Sequence, residues 1–599
     1  MLVDVVFDVP VDRSFLYAAP PGVTVKPGQR VLASLATATR AGLVVAVRAG
    51  ASERVKTLEA VLDPVPVLSG SQLVLARWIA SESCSSFGST CASLLPPAGA
   101  SEIGPVPPEW PGGPAPLPVL FTGHDRVRHL HERLARHRGG ILVVTPDIGA
   151  AAEWAGLLAP LGQPVRLDSG VGEGARQRAW ASLAAGRARI GVGTRSALLA
   201  FVPEPAVLAL IDEHDTAHKP PGAPRIHSRD VLLRRAVVEG SQLCLTSATP
   251  SVEGWRLAEN GAVLLEPTPQ AAWPAVSLAD TRGGSRSNPL TQTLARAVHA
   301  ALANGRRVCV LVSRHRSALG CDECGAVVRC PACHVAFAFS KAYARIACRI
   351  CARNEPAPDT CTACGGRRLS PFGWSAERVE QVLRRRFPRA RIARYDPEAA
   401  RGARLARQLA ASAQAQVVVG TRGTLRLFER GTLGLVGFIA LDQLLCTPDF
   451  RAGERALELM WAAVERVSPD GQVVIQSSTP DHYAVRAVAK QDLAEFYVHE
   501  VRFRAELGYP PFRRLCRLTV RGRTEGDARA VAQSLAARLG EAGLTVYPPL
   551  RDARRVAWTI LAKGDHDLPA IVTATLEPGV VGGRRSFARM VNVEMDPVD

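Results

Sequence analysis

Residues 188–212 read ARIGVGTRSALLAFVPEPAVLALID and contain two short apolar segments, each ending in a polar residue. Such runs, bounded by turn residues, are typical of strands that are buried on both faces of a sheet. Similar segments recur on both sides, separated by stretches with helical periodicity. They are ILVVTP (141–146), QLCLTSAT (242–249), RVCVLVS (307–313), ARIARYD (390–396), QVVVGT (416–421), LVGFIALD (435–442) and GQVVIQSS (471–478). The alternation predicts an α/β protein with two doubly wound parallel sheets.

Eight cysteines interrupt the second sheet as four CxxC pairs between residues 321 and 364. A CxxC pair sets two thiolates on one turn, so two pairs complete a tetrahedral Cys₄ site for structural Zn²⁺. Pairing in sequence order is disfavoured because only five residues separate Cys324 from Cys330. Nested and crossed pairings both remain compatible with the spacing. The nested pairing gives one Zn²⁺ to Cys321, Cys324, Cys361 and Cys364, and a second Zn²⁺ to Cys330, Cys333, Cys348 and Cys351.

Metal is favoured over disulfides by the start of the chain, MLVDVVFDVPVD, which lacks the apolar run of a secretory signal. A cytoplasmic location is therefore expected, and reducing conditions there favour metal-bound thiolates. The other cysteines are scattered and are predicted to be small buried apolar residues. They are Cys84, Cys91, Cys244, Cys309, Cys446 and Cys516.

The composition predicts an anionic partner and excludes a membrane-spanning protein. The 599 residues carry a net charge of +18, and 47% of them are hydrophobic. No apolar run approaches the ~20 residues that a membrane span needs. The basic residues are almost all arginine, with six lysines in the chain, so codon bias explains the choice of arginine. Codon bias does not explain the unbalanced sign, which points to nucleic acid.

The strand pattern and the turn-rich segments divide the chain into seven parts. They are a β-rich N-terminal domain (1–98), a Pro/Gly-rich linker (99–118), a first α/β lobe (119–268), the start of a second lobe (269–320), the Cys₈ insertion (321–366), the rest of the second lobe (367–482) and an α+β C-terminal domain (483–599).

Several motifs are spread over nearly the whole chain. They are PVDRSFLYAAPPGVTVKPGQRV (10–31), VGTRSAL (192–198), IDEHDTAHK (211–219), RIHSRD (225–230), TSATPSVEG (246–254), ERVEQVL (377–383), TPDFRAGER (447–455) and EVRFRAELGYPPF (500–512). Together with the eight cysteines, they resemble the superfamily 2 helicase family of primosomal protein N′, or PriA. The resemblance implies two RecA-like helicase lobes, a zinc-binding insertion in the second, and an N-terminal domain that binds 3′ DNA ends.

The resemblance also implies a role in replication restart. Family members bind abandoned forks, recruit primosome proteins that reload the replicative helicase, and unwind DNA 3′ to 5′ with ATP. The implied partners are branched DNA, helicase-loading proteins and single-stranded DNA-binding protein. The implied state is a cytoplasmic, nucleoid-associated monomer with no membrane contact. The family's winged-helix domain has no counterpart in the short linker at 99–118.

The first ATP-binding motif of the family is degenerate here. A phosphate loop, GxxxxGK[ST], supplies backbone N–H groups, a lysine and an Mg²⁺-binding hydroxyl. The corresponding stretch, VLFTGHDRVRHLHERL (119–134), keeps Thr122 and Gly123 but has no lysine. Arg126 is a conceivable substitute, but its planar fork does not replace a point charge in a tight loop.

Two further ATP motifs also depart from the family. Aligned without a gap on His214, the DEEH box has Ile211 at its first acid, whereas a shift of one residue restores Asp212 and Glu213. In the last motif, AAVERVSP (462–469), only Arg466 remains. We therefore expect no catalytic residues and a helicase fold without helicase activity, for which ATP and Mg²⁺ are doubtful cofactors. The alternative is an active ATP-dependent 3′–5′ helicase.

Two sets of residues are candidates for DNA contacts. By the resemblance, Phe15 and Lys56 match the aromatic residue and the lysine that hold a DNA 3′ end, whereas Leu16 stands where the family has an acid. Core packing is the alternative role for Phe15. Arg384, Arg385 and Arg386 lie in an arginine-rich stretch, RVEQVLRRRFPRARIAR (378–394), that is suited to phosphate contacts or to a solvated helix face. DARRVAW (552–558) and GGRRSFAR (582–589) add basic residues to the C-terminal domain.

Overall fold

The computed structural model describes residues 1–50, 55–95, 109–110, 112–269, 271–282, 288–312, 319–321, 323–324, 326–332, 336–340, 344–348, 351, 353–371, 374–397, 400–447, 449–552, 557–576 and 591–598. The chain forms two compact units. The first contains Met1–Pro269 together with Arg513–Asp599, and the second contains Gln270–Phe512.

The N-terminal part of the first unit is an antiparallel sheet followed by two helices. The strands are β1 (Leu2–Phe7), β2 (Phe15–Ala18), β3 (Arg30–Leu35), β4 (Ala38–Arg48) and β5 (Ala60–Val61), in the order β2-β1-β4-β3-β5. The helices are α1 (Gly70–Glu82) and α2 (Phe87–Leu94). Helix α1 begins at a capping box, in which the Ser69 side chain accepts from the Gln72 N–H and the Gln72 side chain accepts from the Ser69 N–H.

The first lobe is a seven-stranded parallel sheet with helices between its strands. Its elements are β6 (Val119–Thr122), α3 (Arg126–Arg136), β7 (Gly140–Val144), α4 (Ile148–Leu158), β8 (Val165–Arg166), α5 (Glu173–Ala184), β9 (Ile190–Gly193), β10 (Ala206–Leu210), α6 (Ser228–Glu239), β11 (Gln242–Thr246), α7 (Val252–Glu259) and β12 (Leu264–Pro267). The strand order is β12-β6-β11-β10-β7-β9-β8. Every residue of β7 and β10 is buried, as expected for central strands with both faces covered.

The second unit contains a six-stranded parallel sheet and the cysteine-rich insertion. Its elements are β13 (Ala275–Asp280), α8 (Gln292–Ala303), β14 (Val308–Val312), β15 (Leu319–Cys321), β16 (Ala338–Ser340), β17 (Arg345–Ala347), β18 (Asn354–Pro356), β19 (Leu369–Pro371), α9 (Ala376–Arg386), β20 (Ile392–Tyr395), α10 (Gly402–Ala413), β21 (Val417–Gly420), β22 (Leu433–Ile439), α11 (Asp442–Leu445), α12 (Ala452–Val464), β23 (Val467–Ser477), α13 (Tyr483–Lys490) and α14 (Leu493–Leu507). The parallel sheet has the order β13-β23-β22-β14-β21-β20. The insertion forms a two-stranded sheet, β15-β19, and a three-stranded sheet, β16-β17-β18.

The C-terminal part of the first unit is an α+β structure. Its elements are β24 (Arg514–Arg521), α15 (Glu525–Glu541), β25 (Thr545–Val546), β26 (Leu550–Asp552), β27 (Ala557–Gly564), α16 (Leu568–Leu576) and β28 (Val591–Met595). The strands pair antiparallel in the order β25-β27-β24-β28, with β26 also against β27. The Lys219 ammonium of the first lobe donates to the Asp596 carbonyl at 2.6 Å, which ties the end of β28 to that lobe.

Part of the Pro/Gly-rich segment before β6 is anchored. The Glu109 carboxylate accepts hydrogen bonds of 2.7 Å from the backbone N–H groups of Gly70 and Ser71, at the positive end of α1. Trp110 is buried, and the guanidinium of Arg235 lies 4.9 Å from the centre of its ring. These contacts join α1 to α6 through a segment that the sequence predicts only as a linker.

The predicted fold class is confirmed. Two parallel helicase-like sheets, a β-rich N-terminal domain, cysteine clusters and an α+β C-terminal domain are all present. In the portion of the chain that the structure describes, none of the helices combines the length and the apolar character needed to cross a bilayer.

Candidate nucleotide edge, metal centres and DNA-binding surface

The first strand of lobe 1 passes into α3 through only three residues, Gly123 to Asp125. Gly123 has a φ of +89°, and a Cβ at this position would lie 2.6 Å from the Thr268 carbonyl oxygen. The Asp125 N–H donates to Thr268 Oγ1 at 3.1 Å. The turn is therefore packed against Thr268. It lacks the length and the glycines with which a phosphate loop wraps around a triphosphate.

Arg126 folds back into this turn. Its side chain is 3% exposed, and its Nη1 donates to the Gly123 carbonyl at 2.8 Å. Its Nε lies 3.8 Å from Asp212 Oδ1, at the end of β10. A guanidinium thus fills the place at the carboxyl end of the sheet where α/β proteins of this type bind their ligands.

The DEEH-like segment follows β10. Ile211 is buried in the core, and Asp212, with a φ of +49°, donates its N–H to Thr246 Oγ1 at 3.0 Å. His214 Nδ1 lies 2.7 Å from Ser247 Oγ. The segment is therefore held to the last residue of the neighbouring strand, β11, and to the residue that follows it.

Glu213 is fully buried and engaged by protein groups. Its carboxylate accepts from the Ser251 N–H at 2.6 Å, from Ser251 Oγ at 2.8 Å and from Arg229 Nη1 at 3.2 Å. A Cβ on Gly254 would lie 2.8 Å from Glu213 Oε1, so a glycine is required where α7 approaches the carboxylate. Burial opposes the charge on Arg229, but nearby Asp230 and Glu213 more than offset it and raise its pKa. Glu213 is thus held as part of a buried ion pair.

Arg466, the residue left at the arginine-finger motif, lies in the second unit. Its Nε donates to the Leu425 carbonyl at 2.7 Å and its Nη1 to the Ala462 carbonyl at 2.6 Å. These bonds tie the end of α12 to the segment after β21. The guanidinium therefore has a structural role in its own lobe.

The first cysteine cluster has the dimensions of a zinc site. The Sγ atoms of Cys321, Cys324, Cys361 and Cys364 lie within 4.8 Å of one another. Two of the separations are 3.7 Å (Cys321 to Cys364) and 3.6 Å (Cys324 to Cys361). A tetrahedral ion with Zn–S bonds of 2.3 Å requires sulfurs about 3.8 Å apart.

Backbone N–H groups around this cluster favour thiolates. The N–H groups of Glu323, Ala363 and Gly366 each lie 3.4 Å from a cysteine sulfur. Burial raises the pKa of Cys361, but the N–H groups of Ala363 and Cys364 and the neighbouring thiols outweigh burial and lower the pKa to about 7. The Gly366 N–H lowers the pKa of Cys364, but the neighbouring thiols and burial outweigh it and raise that pKa to about 12, so the thiols of the cluster differ in how readily they lose a proton. The chemistry of the first cluster therefore suits a metal ion.

The second cluster contains three of its four candidate ligands within the described residues. The Sγ atoms of Cys330, Cys348 and Cys351 lie within 4.8 Å of one another, with Cys330 and Cys351 3.5 Å apart. Cys333 lies outside the described residues. The structure thus brings together the first set of the nested pairing and these three members of the second, and metal binding by them stays a prediction.

The two N-terminal candidates lie on adjoining elements. Phe15 is half-buried, with its ring 5.7 Å from that of Phe7 and the guanidinium of Arg13 4.7 Å above it. Lys56 is exposed and donates to Ser34 Oγ at 3.3 Å, while its carbonyl accepts from the N–H of Ala18, in β2. Leu16 is 40% exposed. Phe15 therefore contributes to the core of the sheet while keeping part of its ring accessible, and a role in DNA binding stays a prediction.

The three consecutive arginines of α9 differ in their surroundings. Arg384 donates to Glu380 Oε1 at 3.0 Å and to the Ile392 carbonyl at 2.5 Å, so it joins α9 to β20. Arg385 donates weakly to the Gln381 carbonyl of its own helix, and Arg386 is exposed. Arg554 and Arg555, and the basic segment 582–589 of the C-terminal domain, lie outside the described residues.

The sequence did not reveal which residues hold the turn after β6, the DEEH-like segment and the linker in place. Arg229 and Ser251 stand in quoted motifs, and the serine three residues before Gly254 is a helix-capping signal, but no pattern says that they hold Glu213. Thr268 and Glu109 have no local signal, because their partners are distant in sequence.

Comparisons with known proteins show similarity to PriA replication restart proteins. Residues 4–96 match the family model for the PriA 3′ DNA-binding domain. The chain is 28% identical to the replication restart protein PriA of Bacillus subtilis over 460 residues, which cover 72% of the chain and 56% of that protein. It is 27% identical to PriA of Treponema pallidum over 640 residues, which cover 98% of the chain and 96% of that protein.

Similarity to a solved helicase structure is weak. The DUF1998 helicase MrfA bound to DNA and AMPPNP is 12% identical, with a TM-score of 0.35, over 65% of this chain and 48% of MrfA. The resemblance drawn from the motifs is confirmed by the relatives and by the N-terminal match: this chain is similar to PriA replication restart proteins, over nearly its whole length in the case of the Treponema pallidum protein.

Proposed function

We propose that this chain is a DNA-binding replication-restart protein that engages stalled or abandoned forks without hydrolysing ATP. The match of residues 4–96 to a 3′ DNA-binding domain and the similarity to PriA proteins support the DNA-binding role. The net charge of +18 supports an anionic partner. At the fork, the protein recruits helicase-loading proteins of the primosome and single-stranded DNA-binding protein, and it acts as a cytoplasmic, nucleoid-associated monomer.

The loss of ATPase activity rests mainly on the turn between β6 and α3. Three residues cannot present the ring of N–H groups that cradles a triphosphate, and the buried guanidinium of Arg126 lies in their midst. Glu213 is committed to Ser251 and Arg229, and Arg466 to two backbone carbonyls. An arginine finger alone contributes roughly 10³–10⁵ in rate, so the combined losses should leave no useful turnover.

Two Zn²⁺ ions would be held by the two cysteine clusters. The first ion would use Cys321, Cys324, Cys361 and Cys364, and the second Cys330, Cys333, Cys348 and Cys351. With four thiolates per ion, no coordination position is left open, so the metal would serve a structural role. The insertion would then provide a rigid surface for the fork and for protein partners.

Fork binding with and without nucleotide tests the proposal. Fluorescence anisotropy with a labelled fork, a duplex and a single strand should show preference for the fork. The dissociation constant should be the same with ATP, with a non-hydrolysable analogue and with no nucleotide. A fork affinity that changes severalfold with ATP would support the active-helicase alternative instead. Equal weak binding to all three DNAs would contradict the fork-recognition role.

A further inference from the structure

The charge of the chain is concentrated at one place in the second unit. Residues 384–415 contain nine arginines and two acids, for a net charge of +7 out of +18. An arginine-containing stretch in the first lobe, residues 124–140, is about half as long and carries a net charge of +3. Helix α10 contains no acidic residue, and Ser412 is its only fully buried member. Codon bias favours arginine over lysine, but it does not explain why basic residues outnumber acidic ones by seven in residues 384–415.

The arginines flank the edge strand β20 from two sides. Strand β20 is last in the sheet order, next to β21. The connection through α9 leads outward from β14 to β20, whereas the connection through α10 leads back from β20 to β21. Right-handed crossovers in opposite directions place the two helices on opposite faces of the sheet. The edge of the sheet is therefore bordered by arginines from both helices.

Two groups of arginines can be separated by their contacts. One group holds the lobe together: Arg384 is bonded to Glu380 and Ile392, and Arg391 Nε donates to the Gln414 carbonyl at 2.9 Å. The other group is exposed and makes no ion pair in the described residues. It includes Arg385, Arg386, Arg389, Arg404 and Arg407, of which Arg385 and Arg407 donate hydrogen bonds of 3.4 Å and 3.3 Å to carbonyls of their own helices. Within the described residues, Arg386, Arg389 and Arg404 make no side-chain hydrogen bond or ion pair, so their guanidinium groups are available for a ligand.

The chemistry of the surface favours the backbone of double-stranded DNA over single strands. Guanidinium groups form strong, often bidentate hydrogen bonds to phosphate. Single-strand binding surfaces combine basic residues with exposed aromatic rings on which bases stack. The two aromatic side chains of this region, Phe387 and Tyr395, are half-buried, and Phe387 packs against the core.

We infer that the five exposed arginines around β20, here called the arginine edge, form a second DNA site that contacts the phosphates of a duplex arm. This inference rests on the proposed fork-binding function and assigns one contact surface to it. The site is independent of the N-terminal domain, which is the part that matches a 3′ DNA-binding domain. It contacts backbone only and therefore carries no base specificity.

A triple variant of the full-length protein, R386Q/R389Q/R404Q, tests this inference. Its control is R133Q/R136Q/R138Q, which removes the same charge from exposed positions at the end of α3 in the first lobe. Affinity for a fork and for a 30-base-pair duplex is measured by anisotropy from 50 to 200 mM salt. Three phosphate contacts contribute about 2.7 to the slope of log affinity against log salt. Over this range the wild-type affinity should therefore fall about 40-fold more than that of the first variant.

The outcomes separate the inference from the function on which it rests. The site is supported if the slope of log affinity against log salt becomes smaller in the arginine-edge variant and changes little in the control. All three proteins should then have the same melting temperature. An unchanged slope in that variant, or equal loss in both variants, overturns it while fork binding stands. A wild-type protein that shows no preference for a fork overturns the proposed function instead.

Discussion

Replacement of Glu213 by glutamine should destabilise the first lobe. In the structure the carboxylate accepts from the Ser251 N–H, from Ser251 Oγ and from Arg229, and it is fully buried. A glutamine keeps one acceptor oxygen but turns an NH₂ group toward donors. It also leaves the Arg229 guanidinium, whose side chain is 7% exposed, without its buried counter-charge.

The expected loss of stability in Glu213→Gln follows from the broken ion pair with Arg229. Removal of one partner from a buried ion pair costs about 3–5 kcal/mol. With about 2.1 cal/mol/K of unfolding entropy per residue, each kcal/mol lowers the melting temperature of a 599-residue protein by about 0.8 °C, so the expected shift is roughly 2–4 °C. Glu132→Gln is the matched control, because Glu132 forms an exposed pair with Arg128, in which the two side chains are 43% and 57% exposed. Exposed pairs contribute about 0–1 kcal/mol, so the control should shift by about 1 °C or less.

Differential scanning fluorimetry with the wild type and both variants gives the comparison, alongside ATP turnover on a fork. A Glu213→Gln protein that melts like the control would refute the structural role of Glu213. A wild-type turnover that this variant abolishes without a change in melting would identify Glu213 as a catalytic residue.

Three further predictions concern other parts of the chain. Cys330→Ser should release one zinc equivalent measured by elemental analysis, whereas Cys84→Ser, outside both clusters, should keep full metal content; equal content in both would contradict the second site. Trp110→Ala should cost about 3–5 kcal/mol, seen as a lower melting temperature, because the ring is buried against Arg235; no shift would show that its segment is not anchored. His482 has its pKa lowered to about 4 by burial and by nearby Arg329 and Arg486. The imidazole takes up a proton at higher pH in the unfolded chain than in the folded protein. The free energy of unfolding should therefore fall by up to about 3 kcal/mol as the pH drops from about 6.5 to 4. His482→Asn, which can still cap α13, should make the free energy of unfolding less dependent on pH.

The strands of both lobes were predictable because burial on both faces demands apolar residues at every position. The segments at 141–146 and 207–212 became β7 and β10, whose residues are all buried. The start of helix α1 at Gly70 is also encoded locally, because Ser69 and Gln72 form a capping box there. These features are local, so the sequence pattern carries them.

The arrangement of the residues at the degenerate ATP motifs was only partly predictable. The missing lysine is visible in the sequence, but the fold of Arg126 onto Gly123 and toward Asp212 depends on the sheet, in which β6 and β10 both lie next to β11. The same holds for Glu213, whose partners lie 16 and 38 residues away. Cysteine spacing left nested and crossed pairings open for the same reason, because the choice depends on how β15 and β19 pair in space.

The central claim is that this helicase fold binds forks but does not use ATP. Its most direct test is steady-state ATP hydrolysis by the zinc-loaded, full-length protein, with saturating forked DNA whose binding is confirmed in the same sample. The account predicts that the fork is bound and that phosphate release does not rise above the rate without protein. Fork-stimulated turnover of about 1 s⁻¹, the lower end of typical enzyme rates, would contradict it.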